Sequence, residues 1–287
     1  MLGTGAGAHA AGMTSTEPFH PEEHADEAFQ LTLEEAERYE AAFVPAFFAQ
    51  WASLLCDAAG VGPGQRVVDV ACGTGIVARI ATDRVGPRGH VAGLDLNPAM
   101  LRVAARVRPD LEWRQGDAAD LPWDDGSFDV ALCQMALMFL PDRGGAVAEL
   151  RRVLVDGGTL ALAVPAALDR QPAFAPFVDA ATRLAGPEAR RLLGAYFSCG
   201  DLGELRDLVA KTGATVTAAT RHLGTYRAPS VEAFVATEVE STPLAARLGP
   251  AATAQLRRDA VAVLAPWTAA DGRVEAPFEA LVVTATR

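Results

Sequence analysis

The stretch Val67-Val68-Asp69-Val70-Ala71-Cys72-Gly73-Thr74-Gly75 decides the fold. An apolar run passes into a glycine-rich turn, and a helical pattern follows the turn. Glycine lets a backbone turn tightly and approach a ligand where a Cβ would collide. We therefore predict a strand, a ligand-binding turn at Gly73 and Gly75, and a helix. An ordinary strand-to-helix turn is the alternative, and Gly73-x-Gly75-x-x-Ala78 also satisfies the relaxed dinucleotide fingerprint.

Short β-branched runs alternate with helical patterns from Gln65 onward. This alternation is typical of βαβ units that build a parallel sheet. The pattern changes after Pro165, where longer helical stretches separate two further strands. We predict strands at 66–71, 90–95, 111–115, 128–134, 159–164, 215–226 and 276–286, and helices at 76–84, 98–107, 144–153 and 201–212.

The chain divides into a core and segments that cover it. Aromatic residues recur at helical spacing from Tyr39 to Trp51, and Pro45 is expected to break this helix into two pieces. We predict a flexible tail at 1–28, helices covering the site at 29–64 and a ligand-binding core at 65–165. A helical lid at 166–200 and a carboxyl-terminal part of the sheet at 201–287, with a helical insertion at 229–272, complete the division.

Two carboxylates follow the second and third predicted strands. Asp95 ends the second strand, where a carboxylate can accept hydrogen bonds from both hydroxyls of a ribose. Asp117 follows the third strand, where it can accept from an adenine amino group. Because a dinucleotide site commonly needs only the ribose acid, the two residues together favour a single nucleoside.

Several motifs taken together resemble one enzyme family. They are the 69–75 stretch, Gly93-Leu94-Asp95-Leu96-Asn97, Ser127-Phe128-Asp129-Val130 and Leu150-Arg151-Arg152-Val153-Leu154, which leads to Gly157-Gly158. In this set the chain resembles class I S-adenosylmethionine (SAM)-dependent methyltransferases of the ubiquinone/menaquinone-biosynthesis type over about residues 40–165. The resemblance implies a doubly wound, Rossmann-like α/β fold. Its sheet would have seven mostly parallel strands, with the last strand antiparallel and with helical lid insertions.

The resemblance also implies a cofactor site at the carboxyl ends of the strands. SAM would lie there, with Gly73 and Thr74 beside its amino-acid part and Asp95 at the ribose. Asp69 would fix the loop or accept from the SAM ammonium, and Gln134 would lie near the methionyl part. The full implied cofactor set is Asp69, Ala71, Gly73, Thr74, Gly75, Asp95, Leu96, Met100, Asp117, Ala118, Gln134 and Phe139.

A small organic acceptor is the expected substrate. Gln134-Met135-Ala136-Leu137 replaces the Asn/Asp-Pro-Pro-Tyr/Phe type of sequence found in enzymes that methylate base amino groups, and the chain has no Pro-Cys pair for cytosine C5 chemistry. We prefer a carbon or oxygen nucleophile. Substrate contact by the Met135, Met138 and Phe139 group remains open. The aromatic set Phe43, Phe47, Phe48 and Trp51 is expected to pack as core, with the pocket of a flat substrate as the alternative.

A hydroxyl or carbon acid must also lose a proton, for which a general base is useful. The candidates are His20, His24 and His222, with Tyr39 as a polar group over the cofactor. The alternative for each histidine is structural. A histidine in a tail is usually solvated, and one in a strand usually satisfies a local hydrogen bond.

Composition excludes several classes of function. The formal net charge of −11 argues against nucleic-acid partners, and no uninterrupted apolar run reaches membrane-spanning length. The four cysteines lack metal-ligand spacing, so we expect no metal and a reducing cytoplasmic location. A homodimer is left open. Two other functions also stay open: an NAD-dependent oxidoreductase and a SAM-binding protein that does not methylate.

Overall fold

The computed structural model describes residues 31–240 and 248–287. His20, His24 and the predicted tail lie outside the described residues. The elements, in chain order, are α1 (Leu33–Ala58), β1 (Arg66–Val70), α2 (Ile76–Val85), β2 (His90–Asp95), α3 (Pro98–Val107), β3 (Glu112–Gln115), β4 (Phe128–Gln134), α4 (Arg143–Arg152), β5 (Leu154–Pro165), α5 (Phe174–Ala185), α6 (Pro187–Gly194), α7 (Leu202–Lys211), β6 (Thr215–Ala228), α8 (Val231–Glu240), α9 (Pro250–Leu264) and β7 (Val274–Thr286).

The strands form a seven-stranded sheet in the order β3-β2-β1-β4-β5-β7-β6. The pairs among β1 to β5 are parallel, whereas β7 runs antiparallel to both β5 and β6. The strand order reverses at β1 and β4, and a doubly wound sheet binds its ligand at such a switch point. The predicted fold class is confirmed.

Alternating residues of the strands build two core layers on opposite faces of the sheet. Val67 and Val130 pack with α2 and the carboxyl-terminal part of α1. Val68 and Ala131 pack in the other layer, with α4 and α7. Both layers contain strand residues that are buried completely, which explains why the central strands are almost continuously apolar.

Helix α1 does not break at Pro45, so that prediction was wrong. The segment Tyr39–Phe48 is π-helical and contains Pro45, and α1 continues to Ala58. The wider π-helical turn accommodates the missing N–H of the proline within one helix. By length and composition alone, α1 is the one helix in the described residues that would suffice to cross a membrane. Its Trp51 and Leu55 are buried against the sheet, and this packing accounts for the apolar composition.

Several predicted element ends shift, whereas α3 spans the predicted residues, and side-chain caps mark the starts of α3 and α4. Asn97 caps α3, since its Oδ1 accepts from the backbone N of Ala99 at 2.8 Å. The Asp142 carboxylate accepts from Gly145 N at 2.7 Å and starts α4 one residue earlier than predicted. Strand β5 begins five residues earlier than predicted, at Leu154, because its first part pairs with Phe128 of β4.

The segments after β5 form a helical layer over the carboxyl edge of the sheet. Helices α5, α6, α8 and α9 belong to this layer, and Phe174, Phe177 and Phe234 join it to the main core. Phe177 and Phe234 are buried completely, with ring centroids 5.2 Å apart in an edge-to-face arrangement. The lid and insertion boundaries at 166–200 and 229–272 stay a predicted division.

Candidate active site

A cavity of about 300 Å³ lies where the carboxyl ends of β1, β2 and β4 meet beneath α1 and the helical layer. Ten of the twelve predicted cofactor residues line it. They are Asp69, Ala71, Gly73, Asp95, Leu96, Met100, Asp117, Ala118, Gln134 and Phe139. Thr74 and Gly75 do not belong to the lining.

The carboxylate of Asp95 ties the glycine-rich turn to the end of β2. Its Oδ2 accepts from Gly73 N at 2.7 Å, and its Oδ1 accepts from Asn97 N at 2.8 Å. Gly73 has a φ of 57°, in the left-handed region that a side chain would strain. Burial raises the pKa of Asp95, although these backbone hydrogen bonds oppose that shift. The carboxylate is thus held at the cavity wall with lone pairs left to accept further hydrogen bonds.

Gly75 has a packing role, whereas its expected place beside a ligand stays a prediction. It precedes α2 with a φ of 84°, and a Cβ there would lie 2.3 Å from the Trp113 ring. The indole therefore occupies the space that the glycine leaves. Thr74 is buried, and its Oγ1 has no hydrogen-bond partner among the described residues.

Asp69 lies at the base of the cavity, near the end of β1. Its Oδ2 accepts from Ala78 N in the first turn of α2, at 3.0 Å. Burial raises the pKa of Asp69 from 3.8 to about 8, and the single backbone hydrogen bond only partly opposes it. A cation entering the cavity would favour the ionised carboxylate.

Gln134 presents a buried acceptor without a partner. Its Nε2 donates to the backbone oxygen of Phe48 at 3.3 Å, while its Oε1 has no hydrogen-bond partner in the described residues. Next to it, Met135 has a φ of 51°, and Ala71 after β1 has a φ of 56°. Such left-handed non-glycine residues store strain and cluster at functional sites. Both line the cavity.

The far end of the cavity suits an adenine. Leu96 and Met100 lie on one side, and Leu96 is 50% exposed although it is apolar. The Asp117 Oδ1 accepts from Ala119 N at 2.9 Å, which holds the carboxylate beside Ala118. An apolar surface flanked by an acceptor is the environment that the flat face and amino edge of a purine require.

The charge of the lining fits a cationic nucleoside and opposes a dinucleotide. Four carboxyl groups line the cavity, those of Asp69, Asp95, Asp117 and Glu238, and its described lining includes no Lys, Arg or His. A pyrophosphate would meet these negative charges without a basic partner. An ammonium or sulfonium would instead be attracted by the carboxylates, and Gln134 Oε1 can accept a hydrogen bond from an ammonium.

The other end of the cavity is aromatic. Phe43, Phe47 and Phe48 from α1 line it and also pack in or against the core, so these three combine the expected core packing with the pocket-lining alternative. Trp51 is 1% exposed and does pack as core. The lining here also includes Met135, Met138, Phe139, Phe174, Tyr196, Phe197, Tyr226 and Phe278. The result is an apolar chamber that joins the nucleoside end.

Comparison with known proteins decides the family. Residues 68–162 match the model of a methyltransferase domain. The nocamycin O-methyltransferase of Saccharothrix syringae is 33% identical over 205 residues, which cover 66% of this chain and 73% of that protein. The chain belongs to the class I SAM-dependent methyltransferases. The cofactor of this methyltransferase is S-adenosyl-L-methionine.

Other relatives match the core of the methyltransferase. The demethylmenaquinone methyltransferase of Renibacterium salmoninarum is 39% identical over 128 residues, or 45% of this chain and 51% of that protein. The chain thus spans about half the length of that relative. The phosphoethanolamine N-methyltransferase 2 of Haemonchus contortus, solved with S-adenosyl-L-methionine, superposes with a TM-score of 0.57 at 19% identity, covering 94% of this chain and 60% of that one. This last likeness concerns the fold.

Two of the four predicted catalytic candidates, one of the three histidines and Tyr39, can be located in the methyltransferase. Tyr39 lines the cavity, and burial raises the pKa of its phenol well above the usual range, with Asp95 contributing. A neutral phenol of this kind donates hydrogen bonds and is not a base near pH 7. His222 lies on β6 away from the lining, and its Nε2 is 2.9 Å from Thr220 Oγ1. The structure does not bring His222 to the site.

Sequence reasoning missed one carboxyl group of the cavity, that of Glu238. This residue belongs to α8 and lines the aromatic end. Its helix is separated from the glycine-rich turn by more than 150 positions, and no motif surrounds it. The only available signal was a lone acid between Val235 and Val239, both buried, on a mostly apolar helix.

Proposed function

We propose that this methyltransferase transfers a methyl group from SAM to a carbon or oxygen atom of a small organic acceptor. One observation carries the proposal: a single cavity joins the acid-lined nucleoside end to the aromatic chamber. An acceptor held in that chamber would lie next to the cofactor within the same enclosed space. In-line displacement requires the reacting atoms to be brought to roughly 3 to 3.5 Å of one another.

Each cofactor residue receives a role consistent with its environment. Asp95 would accept from the ribose hydroxyls, and Asp117 with Ala118 would meet the adenine edge, while Leu96 and Met100 cover its face. The orphan Gln134 Oε1 supports a contact with the cofactor's ammonium, as does the ionisable Asp69 at the cavity base.

Bound SAM supplies an already activated methyl group. The protein therefore needs to orient the acceptor, to exclude water from it and to remove its proton. The rings from α1 and the helical layer exclude water from the acceptor end. Phe47 packs edge to face on Phe278, with centroids 4.7 Å apart, and Phe139 does the same on Tyr196, at 5.2 Å. Such packing fixes the chamber walls and favours a flat, apolar acceptor.

The relatives support an acceptor of this kind. The printed names of two of them are nocamycin O-methyltransferase and demethylmenaquinone methyltransferase, and both describe small organic substrates. The chain's net charge of −11 argues against a nucleic-acid substrate.

The test is turnover. Purified protein with SAM is offered a panel of phenols, hydroquinones and enols, with an oligonucleotide as contrast, and S-adenosylhomocysteine (SAH) and methylated product are measured by mass spectrometry. We expect methylation of at least one small acceptor and its loss in Asp95→Ala. Binding of SAM and SAH without turnover of any acceptor would support a SAM-binding protein that does not methylate. Absence of binding in folded protein would remove the proposal.

Compartment and assembly belong to the same proposal. A cytoplasmic location is supported by the four free, buried cysteines, which suit a reducing compartment. Cell fractionation tests the location. Light scattering after size exclusion distinguishes a monomer from a homodimer.

A further inference from the structure

Glu238 occupies a distinct place in the cavity. It projects from α8 into the aromatic end, where Tyr196, Tyr226, Phe174 and Phe278 also line the wall. The Tyr226 phenol interacts with the Glu238 carboxylate and lowers the pKa of that carboxyl group. The carboxyl group of Glu238 thus lies in the wall of the aromatic chamber.

We propose that Glu238 is the general base of the methyl transfer and that the acceptor is a flat hydroxylic molecule, a phenol or an enol. The inference deepens the proposed function and rests on it. Among the lining carboxyl groups, Asp69, Asp95 and Asp117 lie at the end that the cofactor residues form. Glu238 alone among them borders the aromatic chamber that would hold the acceptor.

The chemical step balances without a further reactant. The Glu238 carboxylate takes the proton of the acceptor O–H, and an electron pair of the acceptor oxygen forms the new bond to the methyl carbon. The bond from that carbon to sulfur breaks, and its electron pair stays on sulfur to give neutral SAH. The proton then leaves Glu238 for solvent when the product departs.

The environment of Glu238 suits this role. Burial raises the pKa of its carboxyl from 4.5 to about 7, and the hydrogen bond from Tyr226 opposes that shift. A base with a pKa near the working pH is both available and strong enough to assist. Within residues 31–240 and 248–287, the titratable groups that interact with it from neighbouring elements include the phenols of Tyr226, on β6, and Tyr196, in the turn Ala195–Phe197.

Acceptor binding provides the first test, with a readout independent of turnover. 1-Naphthol is titrated into the protein–SAH complex by calorimetry from about pH 5.5 to about pH 8, a range around the pKa given for Glu238. The ionised carboxylate is the better acceptor for the naphthol O–H, so affinity should rise roughly tenfold across this range. Glu238→Gln should abolish the pH dependence. Tyr226→Phe should move its midpoint upward, because the hydrogen bond that lowers the Glu238 pKa is lost.

Turnover provides the second test, by means of acceptor acidity. With 1-naphthol, Glu238→Gln should lower kcat by about 100- to 10,000-fold. With 4-nitro-1-naphthol, which ionises much more readily, the loss should be far smaller because no proton has to be removed. Glu232→Gln, the same change at an exposed position of α8, is the matched control and should behave as the unmodified protein.

The outcomes separate this inference from the proposed function. Folded protein that fails to bind SAH removes the proposed function. SAH binding with no affinity for 1-naphthol or 4-nitro-1-naphthol overturns the hydroxylic acceptor. Affinity that is pH-independent, or a pH dependence that survives in Glu238→Gln, overturns the base. Equal loss of kcat with both naphthols would assign Glu238 a purely structural role and overturn it as well.

Discussion

Replacing Asp69 by Asn should stabilise the ligand-free protein while weakening its hold on the cofactor. Asp69 is 1% exposed and receives a hydrogen bond from Ala78 N. Its pKa of about 8 in the folded protein exceeds the ordinary value of 3.8, so the folded state holds a proton that the unfolded state releases. The stabilisation of the folded state by this bound proton is complete below pH 3.8 and is lost progressively as pH rises to about 8.

The size of the effect follows from this interval. One pKa unit corresponds to about 1.4 kcal/mol, and pH 7 lies roughly three units above the unfolded value, so the cost of burying Asp69 is at most about 4 kcal/mol at pH 7. Asparagine keeps an acceptor for Ala78 N and does not ionise. The variant should therefore exceed the unmodified protein in free energy of unfolding, by a margin that grows with pH and levels off near 8.

Urea unfolding at several pH values between about 5 and about 9 measures that margin. Asp124→Asn, on an exposed turn, controls for the loss of one negative charge. Calorimetry with SAM in two buffers of different ionisation enthalpy measures the second effect. Binding to the unmodified protein should release a proton and tighten as pH rises towards 8, whereas the variant should bind more weakly and without this release. A stability margin that does not change with pH would refute the argument.

Three further predictions concern the turn and the two ends of the cofactor site. Gly75→Ala should lower the free energy of unfolding in urea by about 2 to 5 kcal/mol, because strain at positive φ adds to a clash with Trp113. Gly64→Ala, where a Cβ would meet open space, should lower it only by the strain, about 1 to 2 kcal/mol. Equal losses in the two variants would contradict the packing role of Gly75. Asp95→Asn should weaken SAH binding about 10- to 100-fold in calorimetry while Gly73 keeps its acceptor. Gln134→Leu should weaken SAM binding while lowering the melting temperature of the ligand-free protein only slightly, because it removes an amide oxygen that has no partner among the described residues and one long hydrogen bond, 3.3 Å, to the backbone oxygen of Phe48. A large drop in melting temperature would show a structural need for the amide.

The residues at strand ends were predictable because they act locally. Asp95 and Asp117 each follow a strand, and the carboxyl ends of parallel strands meet at one edge of the sheet. Their convergence therefore follows from the alternation of strands and helices along the chain. The same reasoning could not predict that Gly75 makes room for Trp113, because that contact joins positions 38 residues apart.

What the sequence by itself determined is the class of fold and the acid-lined end of the cavity, since periodicity, glycine turns and strand-end acids are properties of short segments. Tertiary structure alone decided the aromatic end. It kept α1 continuous through Pro45, and it turned the rings of Phe43 and Phe47 towards a cavity. It also brought Glu238 of α8 to the chamber and left His222 outside. These outcomes depend on how distant helices pack over the sheet. The spacing of apolar residues along a helix is the same whether they face a core or a cavity, so the sequence pattern does not distinguish the two.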